Sequence, residues 1–259
     1  MLPGDGRSMI RRTFQILPRV GPGKERTLWK EGIHDWDDFR ECTEIKGMNE
    51  DRKRDADILL SAADRMLSEQ RWRELSPLLP RQEHWRLYRQ ARDEVAFLDI
   101  ETDGLGHDST ITVVGVHGPR GTDVLVKGRD LNAENLQRSL QKASMLVTFN
   151  GSCFDVPILR NNFPDLDWEI PHFDLRFGCR RLGITGGLKR IETLMGLQRD
   201  ASLADVDGFE AVRLWNRWER RGDRGALHLL MEYNRADTVN LADLADIIYP
   251  HLEELCRKV

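Results

Sequence analysis

Three short groups of side chains in this 259-residue chain have the types and spacing for acid and metal chemistry. In Leu98-Asp99-Ile100-Glu101-Thr102 an apolar run gives way to two carboxylates two residues apart. Alternate side chains of a strand share a face, so Asp99 and Glu101 aim at one point while Leu98 and Ile100 turn to the other side. Two ionised carboxylates side by side repel, and a divalent cation is the usual means of keeping both charged. A solvent-facing edge strand with two ordinary acids has the same local pattern. In the second group, Asn150-Gly151-Ser152-Cys153-Phe154-Asp155-Val156-Pro157-Ile158-Leu159, a strand ends at Asn-Gly and a helix begins near Asp155. Asp155 is there either an N-terminal cap or a further acid of a site, since strand ends in open α/β folds gather ligands. The third group is Tyr233-Asn234-Arg235-Ala236-Asp237 in a long helical stretch. Four-residue spacing puts the phenol and the carboxylate on one helix face, and a buried Tyr beside an exposed Asp is the ordinary alternative.

The elements that must position these groups follow from the apolar pattern. Residues 95–101 form a strand, most apolar near its start and therefore central; residues 110–118 form a second and 124–126 a third, with Gly and Asp turn signals between them. Three strands in close succession imply an antiparallel start. A helix over 131–144, a strand over 145–149, a helix over 154–162 and a short strand over 169–173 come next, and from Leu175 the pattern is helical, broken by glycines near 183–187, 196, 208, 222 and 225. The order is that of an α/β sandwich, a mixed sheet flanked by helices. Ahead of it, residues 1–16 read as a flexible start. Residues 17–42 read as helix, tight turn, helix, and residues 49–75 as an amphipathic helix closed by Pro77 and Pro80. The texture changes at Glu94, which predicts a helical N-terminal region over 1–92 and an α/β domain over 93–259.

Composition bounds the function. Hydrophobic residues are 40% and charged residues 32%, a globular rather than disordered balance. No apolar run reaches the roughly 20 residues of a membrane span, and the N-terminus lacks the apolar core of a signal peptide, so the expectation is a cytoplasmic protein with no membrane partner. Cys42, Cys153, Cys179 and Cys256 lie far apart without a CxxC pair, against a zinc site or a disulfide framework. The net charge of -4 divides into +3 over residues 1–92 and -7 over the rest, so contact with phosphate must come from local patches.

Taken together, Asp-x-Glu-Thr, then Asn-Gly-x-x-Phe-Asp-x-Pro-x-Leu, then Tyr-x-x-x-Asp resemble the three-motif signature of the DEDDy-type 3′-5′ exonucleases of the DnaQ superfamily, a group with an RNase H-like fold. Phe173-Asp174-Leu175, Gly187-Leu188-Lys189-Arg190-Ile191-Glu192 and Glu232 to Leu241 look most like the YprB-type RNase H-like domain, over about residues 93–250. The resemblance implies a 3′-5′ exonuclease acting on single-stranded or frayed DNA or RNA. Asp99, Glu101 and Asp237 would hold one divalent ion, Asp99 would bridge to a second, and Asp155 would support the second partly through water. Tyr233 would orient or help deprotonate the attacking water. Oxygen-only ligands favour Mg²⁺ or Mn²⁺. Thr102, Asn150, Phe154 and Lys189 fall on the substrate side; a solvated lysine at a helix start is the other reading of Lys189. Asp174 is read as structural, and His172 and His228 as non-catalytic. A catalytically inactive nucleic-acid-binding protein that keeps the fold, and a structure-selective endonuclease, are the alternatives.

Residues 17–42 also resemble a helix-hairpin-helix motif, whose glycine-rich turn offers backbone amides to a phosphate. Arg19 stands where that pattern has its first glycine, and Arg19 and Lys24 can supply phosphate affinity by charge, against a purely structural hairpin. Gly21-Pro22-Gly23-Lys24 fails as a nucleotide phosphate loop, because Glu25 replaces the metal-binding Ser or Thr and no buried strand leads into it. The seven tryptophans are read as core rather than base-stacking residues.

Overall fold

The computed structural model describes residues 8–104, 106, 109–203 and 205–258. Strands β1 (Val95–Thr102), β2 (Ile111–Gly118), β3 (Gly121–Val126), β4 (Met145–Thr148) and β5 (His172–Asp174) form one sheet in the order β3-β2-β1-β4-β5. The first three strands are antiparallel neighbours, and β4 runs parallel to both β1 and β5. This is the mixed RNase H-like α/β sheet, with β1 in the middle. Being covered on both faces, β1 begins as a continuous apolar run rather than an alternating one.

Helices α1 (Pro22–Lys30), α2 (Trp36–Glu41), α3 (Glu50–Ser68), α4 (Trp72–Leu75) and α5 (Tyr88–Ala91) precede the sheet. Within it come α6 (Ala133–Ser139) and α7 (Asp155–Asn162), and after it α8 (Leu175–Arg181), α9 (Leu188–Leu194), α10 (Gly208–Arg221) and α11 (Arg224–Arg257). The two sides of β1 sort the core. Ala96, Leu98 and Ile100 pack with Leu136, Ile158 and Leu159 of α6 and α7, whereas Val95 and Phe97 pack with Leu241, Leu244 and Ile248 of α11. The first half of α11 packs instead on Val113, Val124 and Val126 together with Leu214 and Trp215 of α10. Asp99 and Glu101 continue the Val95-Phe97 side, so the alternation delivers both acids to the face that α11 crosses.

The N-terminal region shares its core with the sheet: Leu75, Leu79, Trp85, Leu87 and Tyr88 lie in one cluster with Val95, Phe97 and Leu252. Of residues 1–16, expected to start flexibly, 1–7 lie outside the described residues, and the rest are packed instead, since Met9, Ile10, Phe14 and Ile16 are buried. The reason is Glu25, whose carboxylate accepts from Thr13 Oγ1 (2.6 Å), Phe14 N (2.8 Å) and Gln15 Nε2 (2.9 Å) and fastens that segment to α1. Its other bond, from Arg86 at 3.0 Å, leads on to Glu83 and Arg181 of α8, tying the region to the sheet domain.

Helices α1 and α2 form around Gly32, which takes a left-handed φ of +87°. Arg19 also adopts the left-handed region (φ +63°). Before that turn the described chain holds a 3-10 turn, Met9–Arg12, rather than an α-helix. The helix expected over 49–75 breaks at 69–71. There Gln70 takes φ +55° and Arg71 N donates to Met66 O at 2.8 Å, a Schellman closure made without the glycine that normally signals it. The helix expected over 131–144 is confined to α6, opened by the Asn132 side chain accepting from Asn135 N at 2.9 Å. The strand expected over 169–173 is shifted to 172–174. Six of the tryptophans, at 29, 36, 72, 85, 168 and 215, are buried. The cysteines are unpaired, Cys179 buried and Cys153 exposed. Among the described residues no helix is long and apolar enough to cross a membrane.

Candidate active site

The site forms where β1 outruns its parallel neighbour. Pairing of β1 with β4 stops at Phe97 and Val147, which leaves the Ile100 N–H without a ladder partner on that side. The Asp155 carboxylate takes that N–H at 3.1 Å. Asp155 is thus the first residue of α7, preceded by Phe154 as the capping position, and its carboxylate reaches back to β1 between Asp99 and Glu101. The loop that delivers it is held by Asp174, which accepts from Asn150 N (2.8 Å), Ser152 N (2.9 Å) and Arg176 N (3.1 Å). Asn150 takes φ +67°, a left-handed conformation that Asn tolerates better than most residues. Gly151 has no room for a side chain, since a Cβ there would lie 2.3 Å from Thr148 Oγ1.

From the other side, α11 presents Tyr233, Asn234, Asp237 and Thr238 toward β1 and β2. It comes close because β2 carries Gly115 opposite Asp99. A Cβ at that position would meet Thr238 Oγ1 at 2.3 Å and Asn234 Oδ1 at 2.4 Å. Asn234 then donates to Asp99 Oδ2 at 2.9 Å, and Tyr233 and Asp237 lie four residues apart on the same face of α11. Among the described residues, Asp99, Glu101 and Asp237 form a group whose ligand oxygens all lie within 4.8 Å of one another.

The electrostatics are those of a site that needs cations. Asp237 and Asp155 are each only 5% exposed. Burial, and then the neighbouring carboxylates, push Asp99 and Glu101 well above the usual carboxylate range. Burial raises Asp155 to about 7, and Asp237 to about 6 against the pull of Arg199. The Tyr233 phenol is raised far above its ordinary value by burial and by Asp237, Glu101 and Asp99. Four carboxylates kept together at neutral pH require positive charge, and an all-oxygen donor set with these spacings suits a hard divalent cation.

The remaining predicted residues are placed as follows. Thr102 is buried and its hydroxyl donates to Gly104 O at 2.5 Å, closing the end of β1. The Asn150 side chain accepts from Arg176 Nη1 at 2.5 Å, and Phe154 is half-buried against the α6–α7 cluster. Lys189 lies in the first turn of α9, the helix that contributes Glu192 to the site's surroundings. Lys24 is half-buried on α1, its Nζ 3.5 Å from Gly47 O, outside the acidic cluster. A cavity of about 860 Å³ borders the Asp155 loop at Ser152 and Val156, walled by His84, Trp85, Trp168 and Phe177; the four carboxylates do not line it.

Arg199 was not foreseen. It reaches the site from the segment after α9 and binds both Glu192 and Asp237. It sits in Leu197-Gln198-Arg199-Asp200, which has no periodicity to tie it to the acids, and the one available signal was general, namely that a buried acidic cluster needs counter-charge.

A family model described as the RNase H superfamily matches residues 96–249, more than half of the chain. No curated protein matches it.

Proposed function

The chain belongs to the RNase H superfamily, and from that premise we propose that it is a metal-dependent 3′-5′ exonuclease hydrolysing phosphodiester bonds in DNA or RNA. The observation that carries the reading is the convergence of Asp99, Glu101 and Asp237 within 4.8 Å at the end of the central strand. In this reading residues 93–259 are the nuclease domain and residues 1–92 a helical region buttressing it. Asp99, Glu101 and Asp237 would hold one divalent ion, Mg²⁺ or Mn²⁺, and Asp99 with Asp155 a second. Such a pair, when bound, generates a nucleophilic water at neutral pH and stabilises the leaving oxygen of an in-line displacement.

The protein's own groups do the rest. Tyr233 stays a neutral phenol, because burial and three carboxylates oppose its ionisation, so its task is to orient the attacking water as a hydrogen-bonding group and not to act as an anionic base. Asn234 fixes the rotamer of Asp99, and Asp174 fixes the loop that brings in Asp155. Thr102, Asn150, Phe154 and Lys189 are the candidates for contact with a single-stranded or frayed end.

The test is an end-labelled oligonucleotide, DNA and RNA, single- and double-stranded, incubated with Mg²⁺, Mn²⁺ or chelator and resolved on a gel. A ladder receding from the 3′ end, suppressed by chelator and lost in Asp99→Ala and Asp237→Ala variants that keep their far-UV CD spectrum, is the expected result. Undiminished cleavage by both variants removes the assignment; internal cuts would make the enzyme an endonuclease, and binding without cleavage an inactive scaffold.

A further inference from the structure

We propose that Arg199 is the built-in counter-cation of the carboxylate cluster: it holds Asp237 in place before metal arrives and must release that carboxylate when metal binds. The inference rests on the metal-dependent reading above.

The side chain of Arg199 is only 8% exposed. Its Nε and Nη2 bind Glu192 Oε2 at 2.6 and 2.5 Å, its Nη1 pairs with Asp237, and its guanidinium lies 5.7 Å from the centre of the Tyr233 ring. Glu192 is itself buried, and its second oxygen accepts from Asn240 Nδ2 of α11 at 3.0 Å. The arginine is therefore anchored from two helices, α9 and α11, before it touches the site. Two carboxylates face one guanidinium, and charge pairing of that kind is what makes a buried cation tolerable. Nε alone makes a well-aligned hydrogen bond, and Nη1, Nη2 and Asp237 Oδ1 make none.

The same Asp237 presents an oxygen within 4.8 Å of Asp99 and Glu101. A divalent ion ligated there shares that carboxylate with a guanidinium, and two cations on one carboxylate repel. Metal binding and the Arg199–Asp237 pair are thus thermodynamically linked, and each weakens the other by the same factor. Deleting the arginine's charge leaves the metal-free protein with two buried carboxylates, Asp237 and Glu192, without their cation while removing the metal's competitor. Stability without metal and affinity for metal should then move in opposite directions, which loss of a merely structural side chain does not produce.

The experiment compares the full-length wild type with Arg199→Met and Arg199→Lys. Mn²⁺ affinity is followed by the EPR signal of free ion, and thermal unfolding is recorded in chelator and in saturating Mn²⁺. For Arg199→Met the expected result is a Mn²⁺ dissociation constant lower by on the order of tenfold, a lower midpoint in chelator, and a larger rise on adding Mn²⁺ than in wild type. Arg199→Lys keeps the competing charge and should stay near wild-type affinity. Arg199→Gln, which retains amide donors without charge, replaces the Met variant if that fails to fold without metal. Unchanged or weaker Mn²⁺ binding in the neutral variants, with the same Mn²⁺-induced rise as wild type, overturns this inference alone. Absence of Mn²⁺ binding in wild type and variants together overturns the metal-dependent reading with it.

Discussion

Gly115→Ala is the substitution whose effect the structure specifies most sharply. The position lies in β2 between β1 and β3, opposite Asp99 and Val124. A glycine in such a strand costs conformational entropy, so replacement by Ala at a compatible site normally gains about 0.4–1 kcal/mol. Here the new Cβ would sit 2.3 Å from Thr238 Oγ1 and 2.4 Å from Asn234 Oδ1. Neither atom can swing away cheaply, because Thr238 Oγ1 donates to Asn234 O at 2.6 Å and Asn234 Nδ2 donates to Asp99 Oδ2 at 2.9 Å. Ordinary contact requires α11 to withdraw by about 1 Å or those bonds to break, and overpacking of this kind costs about 1–3 kcal/mol. The steric term exceeds the entropic one, so a net loss of about 1–2 kcal/mol is expected. The same shift moves Tyr233 and Asp237 on α11 away from Asp99 and Glu101 on β1, and a displacement near 1 Å costs on the order of 10²-fold in rate. Urea unfolding in chelator and turnover of a labelled oligonucleotide at saturating Mn²⁺ measure the two effects separately. A variant as stable as wild type, retaining more than half its activity, would refute the account of how α11 is held against the sheet.

Four further outcomes follow. Glu25→Ala strands the buried Arg86 guanidinium, which is held by Glu25 at 3.0 Å and Glu83 at 2.7 Å; a loss of about 3–5 kcal/mol in urea unfolding is expected, and a loss under 1 kcal/mol would make the network dispensable. His172, pushed down to about 4 by burial, stays neutral where the unfolded chain takes up a proton, so its contribution to stability is full above pH 7 and declines as pH falls from about 6.5 to 4, by up to about 3 kcal/mol. His172→Gln should therefore show a smaller loss between pH 7.5 and 5 in chelator than wild type, and parallel curves would count against it. Tyr233→Phe should slow cleavage while leaving Mn²⁺ affinity within about threefold of wild type, as expected of a group that orients water without ligating metal; equal rates would dismiss that role. Lys24→Glu should weaken nucleic-acid binding at low salt and flatten its salt dependence, whereas unchanged binding would leave α1 and α2 a structural hairpin.

What was legible in the sequence is what local periodicity encodes. Asp99 and Glu101 share a face by the period of a strand, and Tyr233 and Asp237 by the period of a helix, so both pairs could be read before any contact was known. The central place of β1 followed from its apolar start, with the order of the other strands less determined. Asp155 was ambiguous for a physical reason, because cap and ligand demand the same residue at the same junction. In the structure Phe154 takes the capping position, and the Asp155 carboxylate accepts the Ile100 N–H that the short β4 leaves unpaired. Gln70 hid a helix end because the closure used a residue that usually avoids φ above zero.

The two largest omissions, Glu25 and Arg199, share one cause. Each is a charge buried against partners far along the chain, Glu25 with Arg86 and Arg199 with Asp237, and nothing local distinguishes it from a solvated residue. Yet the need for a charge such as Arg199 follows from the elements themselves: α7 and α11 bring acids to a covered strand end, and a covered acid must find either a donor or a cation. A reading that tallied the charges its own predicted core would bury could have asked for an unassigned arginine near the acidic cluster, although only the fold can say that the arginine is Arg199 and that it arrives from a loop. The same reasoning makes the metal and the arginine alternatives for one carboxylate, so loss of Arg199 and loss of Asp237 should not be equivalent: the first leaves the acids in place for metal to occupy, while the second removes a carboxylate that no other described Asp or Glu replaces within 4.8 Å of both Asp99 and Glu101.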